Sequence, residues 1–361
     1  LGAVPHPAKL FDEFVPEEEL LPIAQAIGRV FARLGEKKNR ARARIKFLIA
    51  KLGIEEFKRL VLEERKILPF DERWTSYINE LPSYGEKAKK DPSKFTMEID
   101  DLKFNEWYRS NIYPQTQDGY SVVTINLPLG DISSHQVRKL ADITRDYIHD
   151  SIRLTVEQNI VLRWVSNKDL YILYQDLKKI NLATPGAGTI VDVTACPGTD
   201  TCKLGIASSR GLAGELRKQL ALKSIEMDEA IKGLRIKISG CFNSCAQHHI
   251  SDIGFYGISR TIRGYKVPHF QVVLGGQWDK NGGTYGLAIG AVPSKKIPNV
   301  VTKITETFVK ERNKHDERFQ EYVKRVGKIY MKSLIEEYMN VPSYEDDVTY
   351  YSDWGDPRDF S

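Results

Sequence analysis

Three features of this 361-residue sequence predict an α+β fold. From Gly119 onward, short runs of alternating apolar residues interleave with segments of helical period, the signature of a layer that packs helices on a sheet. Two alternating runs, 253–262 and 266–274, flank Arg263-Gly264-Tyr265 and read as a hairpin. The first 66 residues carry helical periodicity alone, so a helical segment precedes the mixed part.

Residues 17–66 read as two or three helices broken at Gly35 and Gly53. Within them, Lys37, Lys38, Arg40, Arg42, Arg44 and Lys46 surround Ala41, Ile45, Leu48 and Leu52, whose spacing predicts one apolar helix face. Residues 82–92 are linker-like, rich in Pro, Gly, Ser and Lys. Tyr120–Leu127 alternates as a strand, and Ser133 or Ser134 caps a helix to about Tyr147, with Val137, Leu140, Ile143 and Tyr147 on one side. Ile152–Thr155 and Ile160–Val165 read as strands and Lys168–Ile180 as a helix. Ile190–Ala195 and Leu234–Gly240 read as half-buried strands, and a helix runs to about Lys223. Lys295–Arg325 and Lys328–Met339 close the order as helices. The acidic end from Ser343 carries Tyr344, Tyr350, Tyr351 and Trp354, which predict that it packs on the surface.

Composition narrows the function. Lys and Arg exceed Asp and Glu by 53 to 48, a formal net charge of +5. The basic run at 37–46 reads as a solvated face or a docking patch for an acidic protein. No nucleic-acid motif accompanies it, so nucleic acid is not the expected partner. No apolar run approaches the roughly 18–20 residues that span a bilayer, and the N-terminus has no signal-peptide core. Neither Pro185-Gly186-Ala187-Gly188 nor the pairs Gly275-Gly276 and Gly282-Gly283 are phosphate loops. No nicotinamide or flavin fingerprint is visible, so electrons for any redox chemistry come from a separate carrier.

The four cysteines form one pattern. Cys196 and Cys202 are spaced C-x5-C, Cys241 and Cys245 are spaced C-x3-C, and 38 residues separate the pairs. Each pair follows an alternating run, which places both pairs in loops at strand C-terminal ends. Pro197, Gly198 and Gly240 suit loops whose backbone passes close to a bulky group. Four thiolates are the usual ligands of a [4Fe–4S] cluster. A structural zinc site and two disulfides are the alternatives. Zinc knuckles favour x2 or x4 spacings, and disulfides belong to oxidising compartments that nothing here indicates. Unpaired thiolates point to a reducing cytoplasm. The histidines form no metal triad by spacing. His248-His249, just after Cys245, is a polar pair beside the site or a proton-delivery pair.

At these residues the sequence resembles the sirohaem-dependent nitrite and sulfite reductases of the ferredoxin-dependent type. The C-x5-C…C-x3-C set is similar to that family's signature, which implies a [4Fe–4S] cluster on Cys196, Cys202, Cys241 and Cys245. It also implies sirohaem, with Cys245 as the thiolate shared between the two cofactors. Asn243 matches an asparagine of the family loop. Arg153 and Gln158, in Ile-Arg-Leu-Thr-Val-Glu-Gln-Asn, match a segment whose glutamine approaches the sirohaem. The resemblance implies a helical end of a first repeat over 1–82, a linker over 83–104, and a ferredoxin-like half-domain over 105–184. A mixed α/β cluster and sirohaem domain would follow over 185–340, with an acidic aromatic tail over 341–361. Gly2-Ala3-Val4-Pro5 recurs as Gly290-Ala291-Val292-Pro293, as expected of two related halves. The sequence starts without Met, and the basic residues that bind the anion in the family come mainly from the first half. A missing N-terminal half or a partner chain is therefore expected.

Three functions follow as expectations. The first is six-electron reduction of sulfite, with nitrite as the alternative small anion and an acidic ferredoxin-like protein as donor. The second is a non-catalytic iron–sulfur electron-transfer subunit. The third is a zinc-stabilised binding module using the basic helix.

Overall fold

The computed structural model describes residues 4–95, 99–149, 152–223, 227–277 and 283–360. Gly2 and Ala3 of the echoed tetrapeptide, Gly282 and Ser361 lie outside them. The chain divides into two compact units, His6–Glu86 and, with the first five residues, Lys87–Ser361.

The smaller unit is helical: α1 (Glu17–Leu34), α2 (Ile45–Leu52), α3 (Ile54–Ile67) and α4 (Arg73–Glu80). Ala26, Val30, Leu48, Phe57, Val61 and Trp74 form its core. The one buried carboxylate of that core, Glu64, receives Arg33 at 2.8 Å, as a buried charge requires. The breaks at Gly35 and Gly53 stand where the periodicity put them. The single helix face expected through the basic run does not form. Arg40–Arg42 make one 3-10 turn, and Arg44 is extended at φ −141°. The helical register therefore restarts at Ile45. Ala41 is exposed, Ile45 is 37% exposed, and of the four apolar positions only Leu48 is buried.

In the larger unit, α5 (Leu102–Asn111), β1 (Ile112–Pro114), β2 (Tyr120–Ile125), α6 (Ser134–Tyr147), β3 (Ile152–Leu154), β4 (Ile160–Ser166) and α7 (Leu170–Lys179) come first. Their strands make an antiparallel sheet in the order β1-β2-β4-β3. Ser133 caps α6 in a reciprocal capping box with Gln136. Phe104, Trp107, Ile125, Leu162 and Leu173 fill the space between sheet and helices. The sequence pattern had not shown α5 or β1.

The second layer is built from β5 (Thr194–Ala195), α8 (Ser209–Lys223), α9 (Glu229–Lys232), β6 (Ile236–Ser239), β7 (Ile253–Ile262), β8 (Tyr265–Leu274), β9 (Leu287–Pro293), α10 (Ile297–Glu311) and α11 (Phe319–Ser333). Its sheet runs β5-β6-β7-β8-β9, parallel over the first three strands and antiparallel beyond. The core lies against α8, α10 and α11 and includes Ile236, Ile238, Phe255, Phe270, Leu212, Ile304 and Phe308.

Three expectations change here. The strand expected over Ile190–Ala195 shrinks to its last two residues, because Asp192 N bonds locally to Thr189 O and Ile190 N bonds to Lys232 O. Strand β6 is buried on both faces instead of one. The helix expected over 295–325 breaks after Glu311, and α11 passes through Gly327 at φ +80°. The tail packs as expected: Tyr265 and Tyr344 stack at 4.5 Å, and Trp354 Nε1 donates to Ser294 O at 3.0 Å.

Candidate metal centre

Strands β5 and β6 are parallel neighbours, so their C-terminal ends point the same way. Cys196 follows β5 directly, and Cys241 follows β6 after Gly240. The pairing continues to the ligands, since Cys196 N donates to Ile238 O at 3.1 Å. Topology alone therefore brings together two loops that are 38 residues apart in sequence.

Glycines let those loops close. A Cβ on Gly240 would stand 2.6 Å from Gly198 Cα and 2.9 Å from Ala207 O. Any side chain there would part the two cysteine loops. The carbonyl of Gly240 accepts from Ile206 N and Ala207 N at 2.8 and 3.1 Å, tying the segment after Cys202 to the end of β6.

Two of the sulfurs already have N–H donors. Gly240 N donates to Cys196 Sγ at 3.1 Å, and Asn243 Nδ2 approaches Cys241 Sγ at 3.4 Å. Such N–H···S contacts favour the anionic thiolate and tune a cluster's potential. Ser209, in the first turn of α8, donates to Cys196 O at 2.7 Å and lies 3.5 Å from its sulfur. The helix N-terminus thus sits beside the first pair, where its dipole favours negative charge. Cys196 and Cys241 are buried, Cys202 and Cys245 exposed, and all four are free thiols. Loss of solvent pushes the Cys245 thiol up, and Cys196, Cys241 and Cys202 push it further, so the four sulfurs share one electrostatic neighbourhood. Among the described residues, no three His, Cys, Asp or Glu side chains converge tightly enough for a single metal ion. A zinc ion would need four thiolates about 2.3 Å from one centre. A polynuclear cluster is wider and asks for no such convergence.

The loop around Cys245 is under backbone strain. Ser244 and Gln247 have φ of 60° and 63°, conformations that non-glycine residues adopt at a cost. Ser244 Oγ and His248 Nε2 are buried there without a hydrogen-bond partner among the described residues. His248 Nδ1 lies 2.8 Å from Ser239 Oγ, which also accepts from Ala246 N at 3.3 Å. Lys237, on the same face of β6 as Ser239, is buried, and burial pushes its amine pKa down. Lys237 escaped the sequence reading because it stood at a nominally solvent-facing place in an alternating run.

Of the residues the sequence singled out, the structure brings Asn243 to the cysteines directly. Gln158 lies in the turn between β3 and β4, its side-chain amide bonded to Ala195 of β5 just before Cys196. Arg153 is exposed on β3 and donates to Ile152 O at 3.3 Å. A buried set that the sequence did not reveal joins the two layers: Asn159 Nδ2 donates to Asp192 Oδ2 at 2.7 Å, and Arg217 donates to Asn126 Oδ1 at 2.6 Å. Burial raises the Asp192 pKa, while Gly188 N, Asn159 and Arg217 oppose the rise. Asn159 follows Gln158 in sequence, and that adjacency was the one available signal.

Comparison with known proteins identifies this arrangement. The "Nitrite and sulphite reductase 4Fe-4S domain" family matches residues 1–68 and 186–343, more than half of the chain. The chain belongs to the nitrite and sulphite reductase family. The family's ferredoxin-like half domain matches residues 113–180. Chloroplastic ferredoxin–nitrite reductase of Spinacia oleracea is 27% identical over 298 residues, which is 81% of this chain and 46% of that protein. "Sulfite reductase [ferredoxin] 2" of Mycolicibacterium paratuberculosis is 29% identical over 332 residues, 90% of this chain and 54% of that protein. The Mycobacterium tuberculosis NirA protein has a solved structure that superposes with a TM-score of 0.68 at 26% identity, covering 90% of this chain and 55% of that one. The chain spans about half the length of the curated relatives it matches.

Membership in this family implies a [4Fe–4S] cluster and sirohaem. The residues present fit both. Four free thiols with N–H donors on two of them suit the cluster, and the orphaned Ser244 Oγ and His248 Nε2 offer polar atoms that a bound group beside Cys245 would satisfy. No helix among the described residues is long and apolar enough to cross a membrane.

Proposed function

We propose that this protein carries the electron-entry and cofactor-holding half of a sirohaem-dependent reductase that converts sulfite to sulfide by six electrons. The observation that carries this reading is the convergence of both cysteine loops at the ends of adjacent parallel strands, with backbone and asparagine N–H groups on the sulfurs. Cys196, Cys202, Cys241 and Cys245 would hold the cluster, and Cys245 would also ligate the sirohaem iron. When bound, the cluster supplies single electrons and the sirohaem supplies the iron at which the anion is reduced. The chain's own part is positional and electrostatic. The Gly240 and Asn243 donors hold charge on the thiolates, and the α8 N-terminus stabilises it further. Arg153 and Gln158 are proposed cofactor-side residues. Free thiols suit a reducing compartment such as the cytoplasm. The donor would be a small acidic ferredoxin, in keeping with the ferredoxin-dependent relatives.

Nitrite reduction to ammonia is the second reading, favoured by the plant relatives named as ferredoxin–nitrite reductases. Sulfite is preferred for the character of the Cys-Pro-Gly-Thr-Asp-Thr-Cys loop and for the sulfite reductase relative that covers 90% of this chain. Comparing kcat/KM for the two anions with one donor decides between them, and a clear nitrite preference reverses the choice.

Absorption spectra with iron and zinc assays test the cofactors. Isobacteriochlorin bands with roughly five irons are expected, four from the cluster and one from the macrocycle. Four irons without those bands would indicate an electron carrier instead, and zinc would end both readings. Cys245→Ser should abolish the isobacteriochlorin bands as well as damage the cluster, whereas Cys202→Ser should act first on the cluster. A Cys245→Ser protein with a normally ligated sirohaem would overturn the shared-thiolate assignment.

A further inference from the structure

Gln158 occupies the tip of the β3–β4 turn, where Thr155 N bonds to Asn159 O at 2.9 Å and Gln158 N to Thr155 O at 3.1 Å. Its φ is 68°, a left-handed conformation that costs a glutamine energy, and Gly130 leaves room for its side chain, since a Cβ there would stand 3.1 Å away. The reason for this cost lies across the layer boundary. Strand β5 is the edge of its sheet. Because Cys196 N is spent on β6, the N–H and C=O of Ala195 face outward. On an edge strand these groups would otherwise be left unpaired at a site that is 1% exposed. The Gln158 amide takes both: Nε2 donates to Ala195 O at 2.8 Å, and Ala195 N donates to Oε1 at 3.3 Å. Asn159 extends the junction by accepting from Leu127 N at 2.9 Å and donating to Asp192.

We infer that Gln158 is a positioning residue for the cluster: its amide acts as a one-residue extra strand that completes the sheet edge at Ala195 and so fixes Cys196. This rests on the iron–sulfur reading above. The left-handed turn and the paired amide form one device, in which the antiparallel layer holds the first cysteine loop of the mixed layer. The device predicts a separation between global stability and cluster retention. Gln158→Leu removes both hydrogen bonds and keeps the bulk. Gln158→Gly removes them while relieving the left-handed backbone.

The test uses the protein with its cofactors, purified anaerobically, and measures iron release to a ferrous chelator together with the electron paramagnetic resonance spectrum of the reduced cluster. Both variants should lose iron roughly tenfold faster than wild type, the factor expected from two lost hydrogen bonds of ordinary strength. Both should also show shifted g-values. Gln158→Gly should melt no lower than Gln158→Leu, and Leu154→Ala, an exposed change on β3, should leave release unchanged. Wild-type release rates and spectra in both folded variants would overturn the inference while leaving the cluster reading intact. Equal acceleration in Leu154→Ala would overturn it as well, by showing general loosening. A wild-type protein that holds no iron would remove the proposed function, and this inference with it.

Discussion

Gly257→Ala is expected to destabilise the protein by about 3–5 kcal/mol, from overpacking plus disrupted buried hydrogen bonds, and to empty the iron site. Gly257 lies on β7 just beyond the point where Tyr256 pairs with Ser239 of β6, so its added methyl faces the end of β6. A Cβ there would stand 2.4 Å from Gly240 O and 2.9 Å from the Ala207 side chain. Neither obstacle is the free end of a flexible side chain. The Gly240 carbonyl already accepts from Ile206 N and Ala207 N, and its own amide donates to Cys196 Sγ. Moving it loosens both cysteine loops together. Gly233→Ala is the control: Gly233 has φ −81° with nothing within 4 Å of its would-be Cβ, so its effect should stay within about 0.5 kcal/mol. Urea denaturation midpoints and iron content report the outcome. A Gly257→Ala protein with wild-type midpoint and iron content would show that the close approach is not rigid.

The parts of this fold legible in the sequence are those governed by local chemistry. The Ser133 cap, the breaks at Gly35 and Gly53, and the β7–β8 hairpin at Arg263-Gly264 each depend on residues adjacent in the chain. The paired cysteines were legible for the same reason, and their placement after β5 and β6 followed from alternation. What stayed hidden was set by partners distant in sequence. Alternation at Ile190–Val193 suggested a strand, but the Asp192 carboxylate is drawn instead into bonds with Asn159 and Gly188. Asp353, in a tail read only as surface packing, accepts from Ser208 N at 2.8 Å at the start of α8, 145 residues away. The basic run misled because its apolar spacing was right for a helix while Arg44 stays extended. Lys237 misled because a strand buried on both faces keeps the alternation of a half-exposed one.

Acid should unfold this protein at a milder pH than its carboxylates alone would dictate. Two histidines are buried as neutral rings. His248 is 0% exposed, and burial, then the neighbouring His249 ring at 4.1 Å, pushes its pKa down to about 3. His269 is 1% exposed, and burial pushes its pKa down to about 4, opposed by the Val267 carbonyl that its Nδ1 meets at 3.0 Å and reinforced by Arg260. Both folded values lie below the unfolded value of about 6.5, so the unfolded chain binds more protons between them. Their stabilisation is complete above pH 6.5 and is lost progressively as pH falls toward 4. At two pH units below 6.5 each ring costs about 2–3 kcal/mol, to order of magnitude, and the pair about 5, comparable with the whole stability of a marginal domain. Asp353 acts in the opposite direction. Burial raises it to about 6, against the Ser208 amide and Lys295, so its contribution is present at low pH and is lost as pH rises through 6. It offsets part of the histidine effect near pH 5 without reversing it, because one carboxyl raised by about two units faces two rings lowered by larger combined amounts. Denaturation midpoints at pH 7.0 and 4.5 should fall steeply in wild type and less steeply in His269→Gln, whose side chain can still donate to Val267 O. A wild-type midpoint that is flat between those two pH values, or a His269→Gln slope equal to wild type, would show that these rings do not carry the acid sensitivity.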